Sequence, residues 1–333
     1  ELPLVALLHQ EKLTFITPGF PLPSGLKNMK YVITIIGPTA IGKTSLSIVL
    51  ANYFKCDILS CDSRQFFKEM TIGTAVPNIA ELNAAKHHFI QNKSIFENYT
   101  VGDFEKEAIA KLDELFLTND YAILVGGSGL YVDAILKGFD EFPEIDAAVR
   151  TEITTNYEKL GIGYLQQKLE LLDPEYYKNI TIENPQTLQN PQRMMRFVEV
   201  CIGSGKPYSS FLNQKQNSRN FTPILIGLEA DRKIIYNRIN QRVDIMMNDG
   251  LLAEAKSLFH NKELNALQTV GYRELFRYLD KEITLEFAVE EIKKNTRRFS
   301  KRQLTWFKRN ENTKWFDFET PYETIVNYIR SKE

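Results

Sequence analysis

Between Gly37 and Thr44 the chain reads Gly37-Pro38-Thr39-Ala40-Ile41-Gly42-Lys43-Thr44, which fits G-x-x-x-x-G-K-[ST] at every fixed position. Glycine lets the backbone curl until successive N–H groups converge on phosphate oxygens. A helix starting where the loop ends adds partial positive charge. Lys43 brings a full charge for a terminal phosphate, and the Thr44 hydroxyl is a hard oxygen for Mg²⁺. The chemistry expected of this stretch is the grip of an oligophosphate. A carboxylate follows in Ser60-Cys61-Asp62-Ser63-Arg64-Gln65. After a strand of a parallel sheet, Asp62 stands at the ligand edge, where it can serve as a base or metal ligand; a helix cap is the competing reading.

The elements around these residues support the motif. Tyr31–Ile36 (YVITII) is a continuous apolar, β-branched run, expected of a strand buried on both faces. Thr44–Phe54 reads as a helix, Asp57–Ser60 as a second strand, and Phe104–Leu117 as a helix with apolar residues at helical spacing. Tyr121–Val125 (YAILV) is a third buried strand. It ends in Gly126-Gly127-Ser128-Gly129 rather than in the Asp expected of an NTPase, and it fails G-x-G-x-x-G in register. From 141 to 220 no buried strand is legible, and Pro223–Leu228 (PILIGL) then restores the sheet signature. The fold predicted is α/β: a P-loop NTPase-like parallel sheet core with an inserted helical domain. Residues 29–140 form the first part of the core, 141–220 the insertion, and 221–333 the completion of the core, nearly all helical beyond Asp231. Residues 1–28 read as an N-terminal extension upstream of Met29, a native arm being the alternative.

Composition bounds the rest. Hydrophobic residues make up 43% and charged residues 25% of 333, and the net charge is −1, so any basic surface must be local. Three cysteines (Cys56, Cys61 and Cys201) without a CxxC pair support neither a disulfide framework nor a zinc ribbon. A reducing, cytoplasmic setting is expected, with no membrane span and no seam arguing for more than a monomer.

Gly37–Thr44 followed by SCDSRQFFKEMTIGTAVP (60–77) resembles the tRNA dimethylallyltransferases, the bacterial-type tRNA isopentenyltransferases. The resemblance continues through His87-His88, LVGGSGLY (124–131), NPQRMMRFVEV (190–200), RINQRVDIM (238–246), VGYRE (270–274) and TRRFSKRQLTWF (296–307). It implies transfer of a dimethylallyl group from dimethylallyl diphosphate to N6 of adenosine 37, in tRNAs reading codons that begin with U. Diphosphate is released and Mg²⁺ assists. The loop Gly37–Thr44 then holds a prenyl diphosphate, with Thr44 on the metal. The resemblance makes Asp62 the general base and places Ser128 and Arg150 near the reaction centre. It assigns Asp62, Ser63, Arg64 and Gln65, and Gln192, Arg193, Met194, Met195 and Arg196, to tRNA contact, and gives the inserted helices the anticodon stem-loop. The chain departs from the family pattern in three places. Ser128 replaces the usual Thr, Val76 stands where Lys is frequent, and Asn190-Pro191 is one residue short of Asn-Asp-Pro.

Chemistry agrees with these roles. Negative charge grows on the departing diphosphate as the allylic C–O bond breaks, and fixed cations stabilise it. The target base must leave its stack. From Lys293 to Arg309 the chain has eight Lys/Arg and no acid, with Phe299, Trp306 and Phe307 interleaved. Arg298, Lys301, Arg302 and Arg309 can share one helical face suited to RNA backbone, although a solvated face over core aromatics fits the segment equally well. Arg238 and Arg242, four apart, can clamp phosphate or touch RNA, and an ordinary surface pair is as plausible. His87-His88 lack a third metal ligand at a convincing spacing, and Cys61 reads as a buried structural thiol. Three rivals remain at this point: a P-loop small-molecule kinase, an adenylate isopentenyltransferase acting on free nucleotide, and an RNA-binding module using nucleotide as a switch.

Overall fold

The computed structural model describes residues 29–212 and 219–333, so the expected extension over 1–28 lies outside them. The chain enters through β1 (Tyr31–Ile36), turns through the glycine loop into α1 (Lys43–Phe54), and continues through β2 (Ile58–Ser60), α2 (Ile79–Ala84), β3 (His87–His88), α3 (Val101–Leu115), β4 (Tyr121–Val125) and α4 (Gly129–Lys137). Four helices follow: α5 (Ala147–Leu160), α6 (Ile162–Leu172), α7 (Pro174–Glu183) and α8 (Pro191–Ser204). The sheet resumes at β5 (Thr222–Glu229). The chain then runs through α9 (Arg232–Asn248), α10 (Leu251–Leu258), α11 (Tyr272–Leu279), α12 (Leu285–Phe307), β6 (Lys314–Asp317) and α13 (Tyr322–Arg330).

The six strands form one sheet in the order β3-β2-β4-β1-β5-β6, and every pairing is parallel. β1 lies between β4 and β5 and is buried along its whole length, which is why it reads as an unbroken apolar run. Its alternate residues serve opposite faces. Ile33 and Ile35 join Leu50, Phe54, Ile123, Ile226 and Ile325 under α1, α9 and α13. Val32 and Ile36 join Phe104, Leu112, Leu124 and Ile135 under α3 and α4. After Asp231 the chain is nearly all helical, as expected, apart from β6. This element is an edge strand with only Phe316 buried, too short and too polar to stand out in the sequence.

Helices α5–α8 pack around a core of their own, built from Ile153, Leu165, Leu169, Met194, Val198 and Cys201. Asn190 caps α8 by accepting from the Arg193 amide, Pro191 fills its first turn, and Gly205 closes it in the left-handed region. A further cluster gathers Val243, Leu251, Leu275, Phe276, Ala288 and Ile292 from α9 to α12 around the loop that follows β2. No helix among the described residues is long and apolar enough to cross a membrane.

Candidate active site

β1 delivers the chain to the glycine loop at the carboxyl edge of the sheet. Gly37 (φ 146°), Ala40 (φ 66°) and Gly42 (φ 109°) curl it. A Cβ on Gly37 would stand 2.6 Å from the Leu228 carbonyl oxygen, so the loop lies hard against the end of β5. Among the described residues no side chain caps α1, which leaves its first-turn amides for a ligand. Lys43 Nζ donates to the carbonyls of Gly37 (3.1 Å) and Pro38 (2.8 Å). From α9, Arg238 Nε donates to the Ala40 carbonyl at 2.7 Å, and Arg242 stands one turn further along. Lys43, Thr44, Arg238 and Arg242 together line a cavity of about 930 Å³. The two arginines thus line the same cavity as the glycine loop rather than forming an idle surface pair. Thr44 offers one oxygen there, and the described residues contain no cluster of three His, Cys, Asp or Glu. That donor set suits Mg²⁺ held mainly by phosphate oxygens.

A second cavity, about 410 Å³, opens beside the first. Six residues line both: Thr39, Asp62, Thr74, Ala75, Arg242 and Met246. Asp62 is therefore on the rim between a cationic cradle and a chamber whose lining is mostly apolar. Its Oδ1 accepts from the Arg64 amide at 3.1 Å. Burial raises its carboxyl above the usual carboxylate range, opposed by that hydrogen bond and by Lys43, Arg64 and Arg242. Burial also lowers Lys43 to about 8, opposed by Asp62 and assisted by Arg242. Ser128 lines the second cavity and is tied to the Asp62 loop: its Oγ accepts from the Ser63 amide (3.0 Å) and donates to Ser63 Oγ (3.1 Å).

The basic helix α12 forms one wall of this chamber. Thr296, Phe299, Arg302, Gln303 and Trp306 line it. Gln303 is buried; its Oε1 accepts from the Thr39 amide and its Nε2 donates to the Gly127 carbonyl, both at 2.9 Å. The glycines after β4 permit this docking. A Cβ would meet Cys61 Sγ at 2.6 Å from Gly126, Gln303 Nε2 at 2.2 Å from Gly127, and Trp306 at 2.3 Å from Gly129. This is why β4 ends without a metal-binding Asp. Of the eight cations on this stretch, Lys293, Lys294 and Lys308 are in ion pairs, and Arg297 donates to Asn240. Arg298, Lys301, Arg302 and Arg309 are exposed and, among the described residues, form no ion pair. Arg302 and Arg309 instead lie over the rings of Phe299 and Trp306.

Other expected residues are spread more widely, although Arg64 lines the second cavity and Gln65 and His87 line the first. Arg150 is held on α5 by Glu199 and Gln192, both at 2.9 Å, and lines neither cavity. Gln192, Arg193 and Arg196 border a groove of about 850 Å³ in the inserted helices, with Tyr176 and Tyr208. Met194 and Met195, expected at the RNA, are instead buried in the core of those helices, on the face of α8 opposite the exposed Gln192 and Arg193. Gln65 is a strut: its Nε2 donates to the carbonyls of Thr74 (3.2 Å) and Ala75 (2.9 Å), and its Oε1 accepts from Ser60. Arg64 lines the second cavity and braces the carbonyls of Asn265 and Ala266. His87 and His88 bond the Ala85 carbonyl and Asp57, each at 2.8 Å. Cys61 is buried, and burial pushes its thiol up, away from reactivity.

One carboxylate had no signal of its own in the sequence. Glu254 on α10 accepts from the amides of Thr71 (3.1 Å), Ile72 (2.8 Å) and Gly73 (2.9 Å) and from Tyr272 Oη (2.6 Å). It fixes the loop that carries Thr74 and Ala75 to the rim. The glycine next to two β-branched residues in Thr71-Ile72-Gly73 was the available hint, since a Cβ at Gly73 would stand 2.6 Å from the Tyr272 ring.

Known proteins share this architecture. The model of the family described as IPP transferase matches residues 65–310. A tRNA dimethylallyltransferase of Flavobacterium johnsoniae is 79% identical over 301 residues, covering 90% of this chain and 97% of the relative. One from Christiangramia forsetii is 57% identical over 302 residues, covering 91% and 98%. Among solved structures, a full-length tRNA isopentenylpyrophosphate transferase from Bacillus halodurans aligns with a TM-score of 0.67 at 34% identity, covering 91% of this chain and 96% of that one.

Proposed function

This chain belongs to the IPP transferase family, and we propose from that premise that it moves a dimethylallyl group from dimethylallyl diphosphate to N6 of adenosine 37 in tRNAs reading codons that begin with U. Transfer of a prenyl group to tRNA follows from the relatives of high identity. The observation that carries the finer reading is the position of Asp62 on the rim shared by the two cavities. A prenyl diphosphate lying in the cradle directs its first carbon at that rim, and a purine splayed into the second cavity meets it from the other side.

The residues then have definite work. Lys43, Arg238, Arg242 and the first amides of α1 hold the diphosphate and stabilise the charge that grows on it. Mg²⁺, held by Thr44 and phosphate oxygens, adds further charge stabilisation when bound. The N6 lone pair attacks the first carbon, the C–O bond breaks, and its electron pair leaves with diphosphate. The surplus N6 proton passes to Asp62, whose raised pKa makes it a better acceptor than an ordinary carboxylate. Ser128 holds the Asp62 loop through Ser63. Arg298, Lys301, Arg302 and Arg309 meet RNA phosphates beside the mouth of the second cavity. Gln192, Arg193 and Arg196 present the inserted helices to the anticodon stem-loop, with Arg150 bracing Gln192.

The decisive experiment offers labelled dimethylallyl diphosphate with Mg²⁺ to unmodified tRNA and, separately, to AMP. Labelled ATP with small alcohols is the third arm. Label on tRNA alone is expected. Label on AMP would make the protein an adenylate isopentenyltransferase, and phosphoryl transfer from ATP would make it a kinase.

A further inference from the structure

The second cavity is divided by chemistry. Ile239, Val243, Met246, Leu251, Val270 and Ile292 make an aliphatic wall, whereas Ser63, Arg64, Thr296, Arg302 and Gln303 supply polar atoms elsewhere in the lining. Three wall residues on α9 (239, 243 and 246) recur at helical spacing, so they form one continuous strip running away from the rim. Nothing yields behind that strip. Val243, Leu251 and Ile292 are at most 2% exposed and are packed against Leu275, Phe276 and Ala288. Met246 alone among the six also lines the cradle cavity, so it stands where the first carbon of a prenyl diphosphate must pass.

We propose that Met246, packed on the cluster that contains Leu251, sets the length of isoprenoid the protein accepts, limiting the donor to the five-carbon unit. The inference rests on the transfer reaction proposed above. In-line displacement keeps the attacking nitrogen, the first carbon and the leaving oxygen on one axis. The isoprenoid tail must therefore run sideways from the rim. Of the six rim residues only Ala75 and Met246 are apolar, and only Met246 leads onto an aliphatic strip. A longer tail would have to displace that thioether and then press on close-packed core. The polar atoms of the remaining lining are left to the purine edge.

The test compares dimethylallyl with geranyl diphosphate as donor to the same unmodified tRNA. In the wild-type protein, kcat/KM should favour dimethylallyl by at least ~100-fold, since excess hydrocarbon in a rigid pocket is rejected strongly. Met246→Ala should cut that ratio by at least ~10-fold, chiefly by admitting geranyl diphosphate. Met246→Phe should raise KM for dimethylallyl diphosphate several-fold while leaving tRNA affinity unaltered. Equal use of both donors by the wild type, or a ratio unchanged in both variants, overturns the inference. If Met246→Ala does not fold, Met246→Phe and wild-type competition by geranyl diphosphate decide the matter: potent competition would overturn it. Failure of the proposed function itself reads differently, as no label from dimethylallyl diphosphate reaching tRNA in the wild type.

Discussion

Gln303, in the last turns of the basic helix, accepts a hydrogen bond from the Thr39 amide of the phosphate loop at 2.9 Å. The element best suited to hold RNA is thereby bonded directly to the element suited to hold diphosphate. Gln303→Leu removes both of its bonds and leaves the Thr39 amide and the Gly127 carbonyl without that partner. The expected cost is about 1–3 kcal/mol of stability, seen as a lowered denaturation midpoint. KM for dimethylallyl diphosphate should rise in the same variant. An unchanged KM in the folded variant would show that the bond does not shape the loop.

Asp62→Asn should keep tRNA binding and lose at least ~100-fold in kcat, the ordinary contribution of a general base. The same substitution should stabilise the protein at neutral pH. The folded pKa of Asp62 lies above its ordinary value of 3.8 because burial penalises its charge. Between those two values the folded state holds more protons than the unfolded chain, so stability falls as pH rises through that window. Removing the charge relieves the penalty at pH 7 and changes little well below the ordinary carboxylate pKa. Thermal melts of the two proteins at neutral and acid pH check both ends.

The pH profile of kcat/KM for the donor should fall on both sides. On the basic side Lys43, lowered to about 8 by burial, loses the charge that attracts diphosphate as pH rises through that value. On the acid side Asp62 gains a proton at a pH above that of an ordinary carboxylate. Lys43→Arg keeps a cation well beyond pH 8, so its basic limb should vanish while its acid limb remains. A basic limb unmoved in that variant would assign it to another group.

Arg298→Ala with Arg302→Ala should weaken tRNA binding and make it less sensitive to salt. The slope of log K against log salt should shrink by about 1 for each phosphate no longer neutralised. Any fall in transfer rate at saturating tRNA should come from Arg302, which lines the second cavity, and not from Arg298, which lines neither cavity. The control is Lys294→Ala, whose ammonium is already paired with Glu291 and should leave the slope alone.

The phosphate loop and its flanking strand and helix were legible because their signal is local: fixed glycines, one lysine and a buried run occupy consecutive positions. Asp62 was legible for a related reason, since a strand end in a parallel sheet marks the ligand edge. Exposed Arg298, Lys301 and Arg302 on α12, with Arg309 just past its end, were only partly separable, because Lys308, which pairs with Glu229, is about two turns from Lys301 and shares its side. Gln303 and Glu254 carried no such mark. Each acts on backbone groups far away in the chain, and only the packing of α10 and α12 onto the sheet brings those groups within reach. Met194 and Met195 lie beside exposed Arg193 in sequence, but on α8 neighbouring residues point some 100° apart. Motif membership therefore could not tell which side of the helix each would take. β6 escaped notice because an edge strand needs to bury only one side chain.

The indole of Trp306 stands where a side chain at Gly129 would have to be. These two positions, remote in the chain, consequently share one parcel of space and are not free to evolve separately. A lineage that acquired alanine at 129 would first have to shrink the ring at 306, and one that kept the tryptophan would be bound to its glycine. In this fold the size of a residue at the edge of the sheet is settled by a helix that the ribosome makes long after it.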